Sequence, residues 1–563
     1  MPASRLAEPP SAPAPIVAKD ATNRAGGRIR SPMTACRGRR CAFVALTGLL
    51  LAVAPGCGAE EPRRDSPLIA DHAGDVELYR QLRVEYTNPS WRGNPFDVEL
   101  TGRFTHAESG RSLTQLGFYA GDESWEIHFM PDRLGEWTFM TRSSDPDLDL
   151  HGGSFTAVPS DLPGRLETDG IRWRLSEHGP VAPILLAAGP LIRAEPIATT
   201  RPFVDWARDT AGARLIGTTL LNFGPAPYTL DQADRMYDDG EEGERFHLPA
   251  WDRSNAFYDA VRDRGMGHYI LIYSDDEAAP DRNGLPQGRG GSIGRAELRL
   301  FRYLVARFAA YPIVMWDTGI DIGENRSDRW IENFVAWFRA NDPWQHPIAS
   351  RTGGGSGGTH PPDATYYSDG LRVLPDRSTL IQLVTSRSVP TALTDRYRED
   401  YPSPFDGGRE KVRRAAWQML LTYGTAVYFG GSDGGGYLAV NYAADLEAGP
   451  DLGRVSRFAE HHIAHLGGLV PADDLVTAAD GEVMLSRAGG EEYVAYVLSG
   501  SAITVDLSDT TGELDVAWYD PLGGERTAAG RVTGGAAADF TTPGTNAGGT
   551  GEWVLHLRSG GGG

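Results

Sequence analysis

The segment Ile313-Val314-Met315-Trp316-Asp317-Thr318-Gly319-Ile320-Asp321-Ile322-Gly323-Glu324 is an apolar run that ends abruptly in three carboxylates. An apolar run of this kind reads as a buried strand. Acids at the end of such a strand are unusual unless they face a site, because burying an unpaired carboxylate is costly. In a barrel of parallel strands the C-terminal strand ends form the active-site rim. The segment is expected to be one such strand, with Asp321 as the first catalytic candidate, Glu324 as its rival and Asp317 in support.

The surrounding chain fits that expectation. From about 170 to 465, apolar runs alternate with helical stretches, the pattern of repeated βα units. Candidate strands are Pro183–Ala188, Leu215–Leu221, His268–Tyr273, Ile313–Trp316, Pro347–Ser350, Leu380–Val384, Thr391–Leu393 and Thr425–Phe429, with helices such as Arg295–Phe308 and Arg329–Arg339 between them. Eight strands in this order predict a (β/α)8 TIM barrel. The rival is an open doubly wound sheet, but no Gly-rich dinucleotide fingerprint follows the first strand. Residues 76–158 and 475–558 carry short alternating runs separated by turns, and each predicts a small all-β sandwich. The fold class is thus multidomain: a central barrel flanked by two sandwiches, with a linker at 58–75 and a Gly tail at 559–563.

The first 57 residues read as targeting sequence. Arg37-Gly38-Arg39-Arg40 precedes an apolar stretch from Ala42 to Ala54, which ends at Pro55-Gly56-Cys57. A charged region, a short apolar region and small residues before a cleavage point make a signal peptide. Cys57 after small residues resembles a bacterial lipoprotein box, so Cys57 is the expected lipidation site and the protein is expected to be exported and anchored at the cell surface or in the periplasm. Met33 is an alternative start. All three cysteines lie in this leader, which leaves the mature body without disulfide or thiolate chemistry. The net charge of -21 excludes nucleic acid as partner, since no basic stripe offsets phosphate repulsion.

Polar residues gather at the predicted strand ends: Asn222, Tyr273 with Asp275, Asp317, Asp321 and Glu324, Arg351, Asp395 with Tyr397, and Asp433. Hydrolysis of a glycosidic bond needs two carboxyl groups flanking the sugar, one protonated to assist the leaving oxygen and one ionised. Strands four and seven lie across a barrel mouth from each other, so Asp321 and Asp395 are the expected pair. A separation of about 5 Å implies retention of configuration, and about 6.5–9.5 Å implies inversion. Asp275 has no histidine close in sequence, so no metal site and no cofactor are expected.

Val314-Met315-Trp316-Asp317-Thr318-Gly319-Ile320-Asp321 resembles the fourth strand of apiosidase-like glycoside hydrolases, where a tryptophan precedes the acid/base aspartate. Phe246-His247-Leu248-Pro249-Ala250-Trp251-Asp252 with Arg264-Gly265-Met266-Gly267, and Trp337–Pro347, are similar to other passages of that family. Asn94–Val98, Gly117-Phe118-Tyr119 and Gly135-Glu136-Trp137 resemble the uncharacterised sandwich that often precedes such barrels. Trp518-Tyr519-Asp520-Pro521 and Trp553–Leu557 resemble the C-terminal sandwich assigned to collagen binding in relatives. The resemblance implies Asp321 as acid/base and a carboxylate nucleophile on strand seven. There the family has a glutamate, whereas this chain has Thr394-Asp395-Arg396-Tyr397, with Glu399 as the alternative.

The expected function is hydrolysis of a polysaccharide or glycan side chain by a retaining mechanism. The substrate is expected to meet Asn222, His247, Trp251, Tyr273, Asp275, Trp316, Asp317, Arg351, Tyr397 and Asp433. Plainer roles stand beside several of these. Trp316 also reads as barrel-wall packing, Asp317 as the partner of Arg351, His247 as a turn residue and Trp251 as a helix-start anchor. The alternative for the whole chain is a surface lipoprotein that binds carbohydrate or matrix without cleaving it.

Overall fold

The computed structural model describes residues 69–188, 196–221, 236–238, 244–273, 291–319, 322–324, 326–352, 359–371, 373–397, 399, 408–430 and 446–560, all within one compact unit spanning 65–563. The leader and Cys57 lie outside them. Among the described residues no helix is long and apolar enough to cross a membrane.

The centre is an all-parallel sheet. Its strands are β1 (Ile184–Ala187), β2 (Leu215–Leu221), β3 (Gly267–Tyr273), β4 (Val314–Gly319), β5 in two pieces (Ile348–Ala349 and Arg351–Thr352), β6 (Tyr367–Asp369), β7 (Thr391–Tyr397) and β8 (Ala426–Phe429). Neighbours pair in chain order, and β8 pairs with β1. The first piece of β5 pairs with β4 and the second with β6, so the two ends of the ladder meet at Ser350. The sheet thus curls back to its own starting segment. Around it lie α1 (Ile197–Asp209), α2 (Leu248–Arg262), α3 (Arg295–Phe308), α4 (Asp328–Asn341), α5 (Arg377–Thr385), α6 (Gly408–Leu420) and α7 (Gly449–His461).

Two expectations need correction. The structure has seven helices among the described residues, not eight, and no helix stands between β5 and β6 there. Leu380–Val384 is not the sixth strand but part of α5. Asp376 caps that helix by accepting the Thr379 N–H at 3.0 Å, and Leu380 and Val384, one turn apart, carry its buried face. The true sixth strand is the short and polar Tyr367–Asp369, which sequence patterning passes over.

Strand alternation divides the side chains between two cores. Leu185, Ala187, Leu215, Tyr269, Leu271, Met315, Tyr366, Ala392, Ala426 and Tyr428 fill the interior of the curled sheet. Leu166, Trp173 and Leu175 join them from a three-stranded hairpin unit (Leu166–Asp169, Arg172–Leu175, Gly179–Val181), which covers the end where the strands begin. Residues of opposite parity, including Ile270, Val314 and Trp316, face the helices.

The N-terminal region is a bent seven-stranded sheet. Strand Ser112–Gly121 pairs by its first half with Leu100–His106 and by its second half with Ser124–Phe129, folding the sheet over a core in which Phe104 and Phe129 stack at 3.8 Å. Residues 69–75, placed by sequence in the linker, belong to strand Ile69–Glu77, which pairs in parallel with Gly152–Val158. At the other end, a six-stranded and a three-stranded antiparallel sheet enclose Leu485, Val505, Leu514, Trp518 and Leu555.

Candidate active site

The rim is set by how the chain leaves β4. Gly319 has φ +128°, and a Cβ there would lie 1.9 Å from the Tyr273 carbonyl oxygen, so only glycine permits this departure. The chain then forms the short turn Ile322–Glu324. Beneath that turn Arg326 donates to Glu297 at 2.7 Å, both side chains being enclosed, and the Arg326 N–H donates to the Ile322 carbonyl at 2.9 Å. Glu297 also accepts from the Trp330 indole at 3.2 Å and from the Gly294 N–H at 2.9 Å, which caps α3. Asp321 lies outside the described residues. The main chain of Glu324 is described within the turn.

Asp317, one register below, is wholly buried inside the sheet. Its Oδ1 accepts the main-chain N–H groups of Gly319 and Arg351, both at 3.1 Å. Its Oδ2 accepts the Ser368 hydroxyl at 2.5 Å and the Tyr269 hydroxyl at 2.9 Å. The Tyr366 hydroxyl lies 2.9 Å from the Trp316 carbonyl and 3.3 Å from Asp317 Oδ2. Burial pushes the Asp317 carboxyl up, against the pull of these hydrogen bonds and of the Arg351 charge. The expected Asp317–Arg351 partnership therefore runs through the arginine main chain and the guanidinium's field.

On β7 the pairing with β8 jumps from Leu393↔Val427 to Tyr397↔Phe429, so the strand bulges across 394–396. The main chain of Asp395 runs through that bulge, and its side chain lies outside what is described. The described part of its neighbourhood places Thr394 inward, its hydroxyl 2.8 Å from Ser368 Oγ. Tyr397 is buried against Phe429. Glu399 accepts the Ala448 N–H at 2.9 Å, just before α7, and burial raises its pKa.

The remaining candidates separate. Asn222, Asp275 and Asp433 lie outside the described residues. Trp316 stands on the outer face of the sheet, fully enclosed, packed on Phe338 and donating its indole N–H to Asp342 at 3.0 Å. Trp251 is equally enclosed, between Phe246, Tyr303 and Phe308, with its N–H on the Met236 carbonyl at 3.0 Å. Tyr273 turns towards α3 and α4, its hydroxyl 3.4 Å from Glu297. For these three the packing role replaces the expected substrate contact. His247 precedes α2 and is partly exposed, with Nδ1 2.6 Å from Asp238 Oδ1. Arg351 is buried at the rim.

Sequence reasoning missed Tyr269, Tyr366, Ser368, Glu297 and Arg326. For Tyr269 a signal existed: it alternates with Leu271 on the inward parity of an otherwise aliphatic strand. Glu297 was legible as a helix-start acid, though not as the anchor of a buried pair. No group of three or more His, Cys, Asp or Glu among the described residues is placed to hold a metal. A large cleft lies at the opposite end of the sheet, where Arg80, Arg214 and Arg264 pair with Asp263, Glu460 and Asp209. In an architecture of this kind that end serves stability.

Residues 75–144 match the family model of a domain of unknown function, DUF5060, and residues 470–558 match that of a "putative collagen-binding domain of a collagenase". The sequence matches none of the curated proteins with which it was compared. Among solved structures, a "putative glycoside hydrolase" of Bacteroides vulgatus superposes with TM-score 0.63 at 16% identity, over 86% of this chain and 99% of that one. A family 5 glycoside hydrolase of the same organism gives TM-score 0.54 at 16% identity, over 71% of this chain and 95% of that one. At such identities the likeness shows the fold alone, which is glycoside-hydrolase-like.

Proposed function

We propose that this protein is an exported glycoside hydrolase of the apiosidase-like type, acting on a polysaccharide or a glycan side chain at the C-terminal mouth of a (β/α)8 barrel. Asp321 serves as acid/base and Asp395 as nucleophile in a retaining reaction, with Glu324 and Glu399 as the alternates. In this scheme the protonated carboxyl of Asp321 gives its proton to the leaving oxygen. The Asp395 carboxylate attacks the anomeric carbon, and water activated by Asp321 then releases the sugar. Arg351, His247, Tyr397, Asn222, Asp275 and Asp433 line the sugar site, and Cys57 carries the lipid anchor.

The observation that carries the reading is the rim itself. The glycine-dependent exit from β4 leads to one acidic segment, and the bulge of β7 carries the other, both at the C-terminal end of a parallel sheet. Glu399 is the weaker nucleophile because one of its oxygens already holds the Ala448 N–H before α7.

The test is to replace Asp321 and Asp395 singly by Asn and assay release of sugar from a glycan panel. Loss of roughly 1,000-fold or more in each variant is expected from removal of an acid/base or nucleophile. Unchanged turnover in both variants overturns the assignment. Glycan binding by the intact protein without any product selects the non-catalytic alternative.

A further inference from the structure

We propose that Asp317 is a positioning residue for the mouth: its Oδ1 holds the main chain of two rim segments, the exit from β4 at Gly319 and the Arg351 end of β5. Its charge takes no part in the reaction. The proposal deepens the glycosidase reading and rests on it only for its activity measurement.

The ladder changes partners beside this residue. β5 pairs with β4 as far as Asp317↔Ala349 and then transfers to β6 at Arg351↔Ser368. At that transfer the Arg351 N–H donates to a side chain of β4, Asp317 Oδ1, at 3.1 Å. The same oxygen accepts the Gly319 N–H, two residues on, where the chain turns at φ +128°. One side-chain oxygen thus stands in for a rung of the ladder and fixes the exit angle of β4 at once. A buried main-chain N–H without an acceptor is costly, so the two rim segments are held in register by this atom.

The two carboxylate oxygens differ in kind. Oδ1 meets two fixed main-chain donors and, at 3.4 Å, the Thr318 hydroxyl, while Oδ2 meets the hydroxyls of Ser368 and Tyr269, which can rotate to donate or to accept. An asparagine can therefore keep its carbonyl on Gly319 and Arg351 and offer its NH2 to the hydroxyls. An alanine cannot do either. Asp317 is also fully enclosed, out of reach of a sugar, so its influence on turnover must pass through the segments it holds.

The experiment compares wild type, D317N, D317A and Ser368→Ala by amide hydrogen exchange, in peptides covering Thr318–Ile322 and Ser350–Thr352. Turnover on the glycan panel is measured in parallel. In D317A, exchange at these amides is expected to quicken by about tenfold or more, while in D317N and Ser368→Ala it stays near wild type. The kcat of D317A is expected to fall about 100-fold below that of D317N with KM within about threefold, as misplaced reacting groups produce. Wild-type protection in D317A overturns the proposal, and so does a D317N as inactive as D317A, since the charge would then be in use. If D317A does not fold, exchange in D317N and Ser368→Ala decides: protection kept in both supports the proposal, and lost in either overturns it. A wild type that releases no sugar refutes the glycosidase reading and leaves the exchange arms to judge Asp317.

Discussion

Arg413 of α6 and Glu552 of the C-terminal sandwich form a two-pronged ion pair, with Nε–Oε2 and Nη2–Oε1 both 2.8 Å and both side chains almost wholly enclosed. The Tyr496 hydroxyl donates to the same carboxylate at 2.7 Å, and Arg413 reaches Asp451 of α7 at 3.2 Å. The pair therefore ties the sandwich to the two helices that flank β8. Removing one member strands the other in a dry site. Glu552→Ala is expected to cost about 3–5 kcal/mol, measured as a shift of the denaturant midpoint, whereas combining Arg413→Met with Glu552→Leu recovers much of it. A cost below about 1 kcal/mol for Glu552→Ala would show that water reaches the pair.

Gly319→Ala is expected to destabilise the protein by about 2–4 kcal/mol, because the new Cβ falls on the Tyr273 carbonyl and the backbone lies at φ +128°. The contact is with main chain, so no side chain can swing away to relieve it. Thermal melting of the variant against wild type measures the effect. An unchanged melting temperature would mean that the exit from β4 is looser than this close approach requires.

His268 on β3 stacks on Tyr258 at 4.0 Å, and neither ring nitrogen makes a well-formed hydrogen bond. Burial drives its pKa from 6.5 down to about 3. The unfolded chain therefore binds the proton first as pH falls below 6.5, and the stability held by the neutral ring is lost progressively between there and about 3. Between pH 6.5 and 4.5 this linkage is worth roughly 2–3 kcal/mol, at about 1.4 kcal/mol per unit. His268→Phe should flatten that part of the stability-versus-pH curve whatever its effect at pH 7. Parallel curves from urea titrations across this range would remove His268 as the source.

Strand positions were readable where a strand is long and apolar, as in Leu215–Leu221, and failed at Tyr367–Asp369, whose inward Ser368 serves Asp317 instead of the core. Leu380–Val384 misled for the converse reason, since five consecutive residues that suit a strand also suit a helix face when an aspartate caps the start. The acids at the end of β4 were visible as letters, and Asp317 was read as the supporting one, but the groups that it holds were not visible. Apart from the nearby Gly319, Asp317 is held by distant residues such as Arg351, Tyr269 and Ser368, separated from it by 34, 48 and 51 residues, so no local pattern joins them. Trp316 shows the limit of motif reading. Its place in the resemblance is clear from sequence, yet parity along β4 turns it to the helices and away from the mouth.

Asp342 is buried behind Trp316 and accepts the Trp316 indole N–H at 3.0 Å, His346 Nδ1 at 2.8 Å and the Trp344 and His346 N–H groups at 3.0 and 3.1 Å. Burial alone raises its pKa, but the charge and hydrogen bond of His346, with the other donors, outweigh it and hold the carboxyl below its usual range. A carboxyl lowered on folding stabilises above its unfolded pKa, and the contribution disappears as pH falls through the folded value. Asp342→Asn should therefore cost about 2–4 kcal/mol at pH 7, as loss of a buried charged acceptor does, and progressively less below about pH 4. Urea midpoints of both proteins at pH 7 and pH 3 measure the difference. A stability difference that does not shrink at pH 3 would mean that the ionised carboxylate is not what holds this side of the wall.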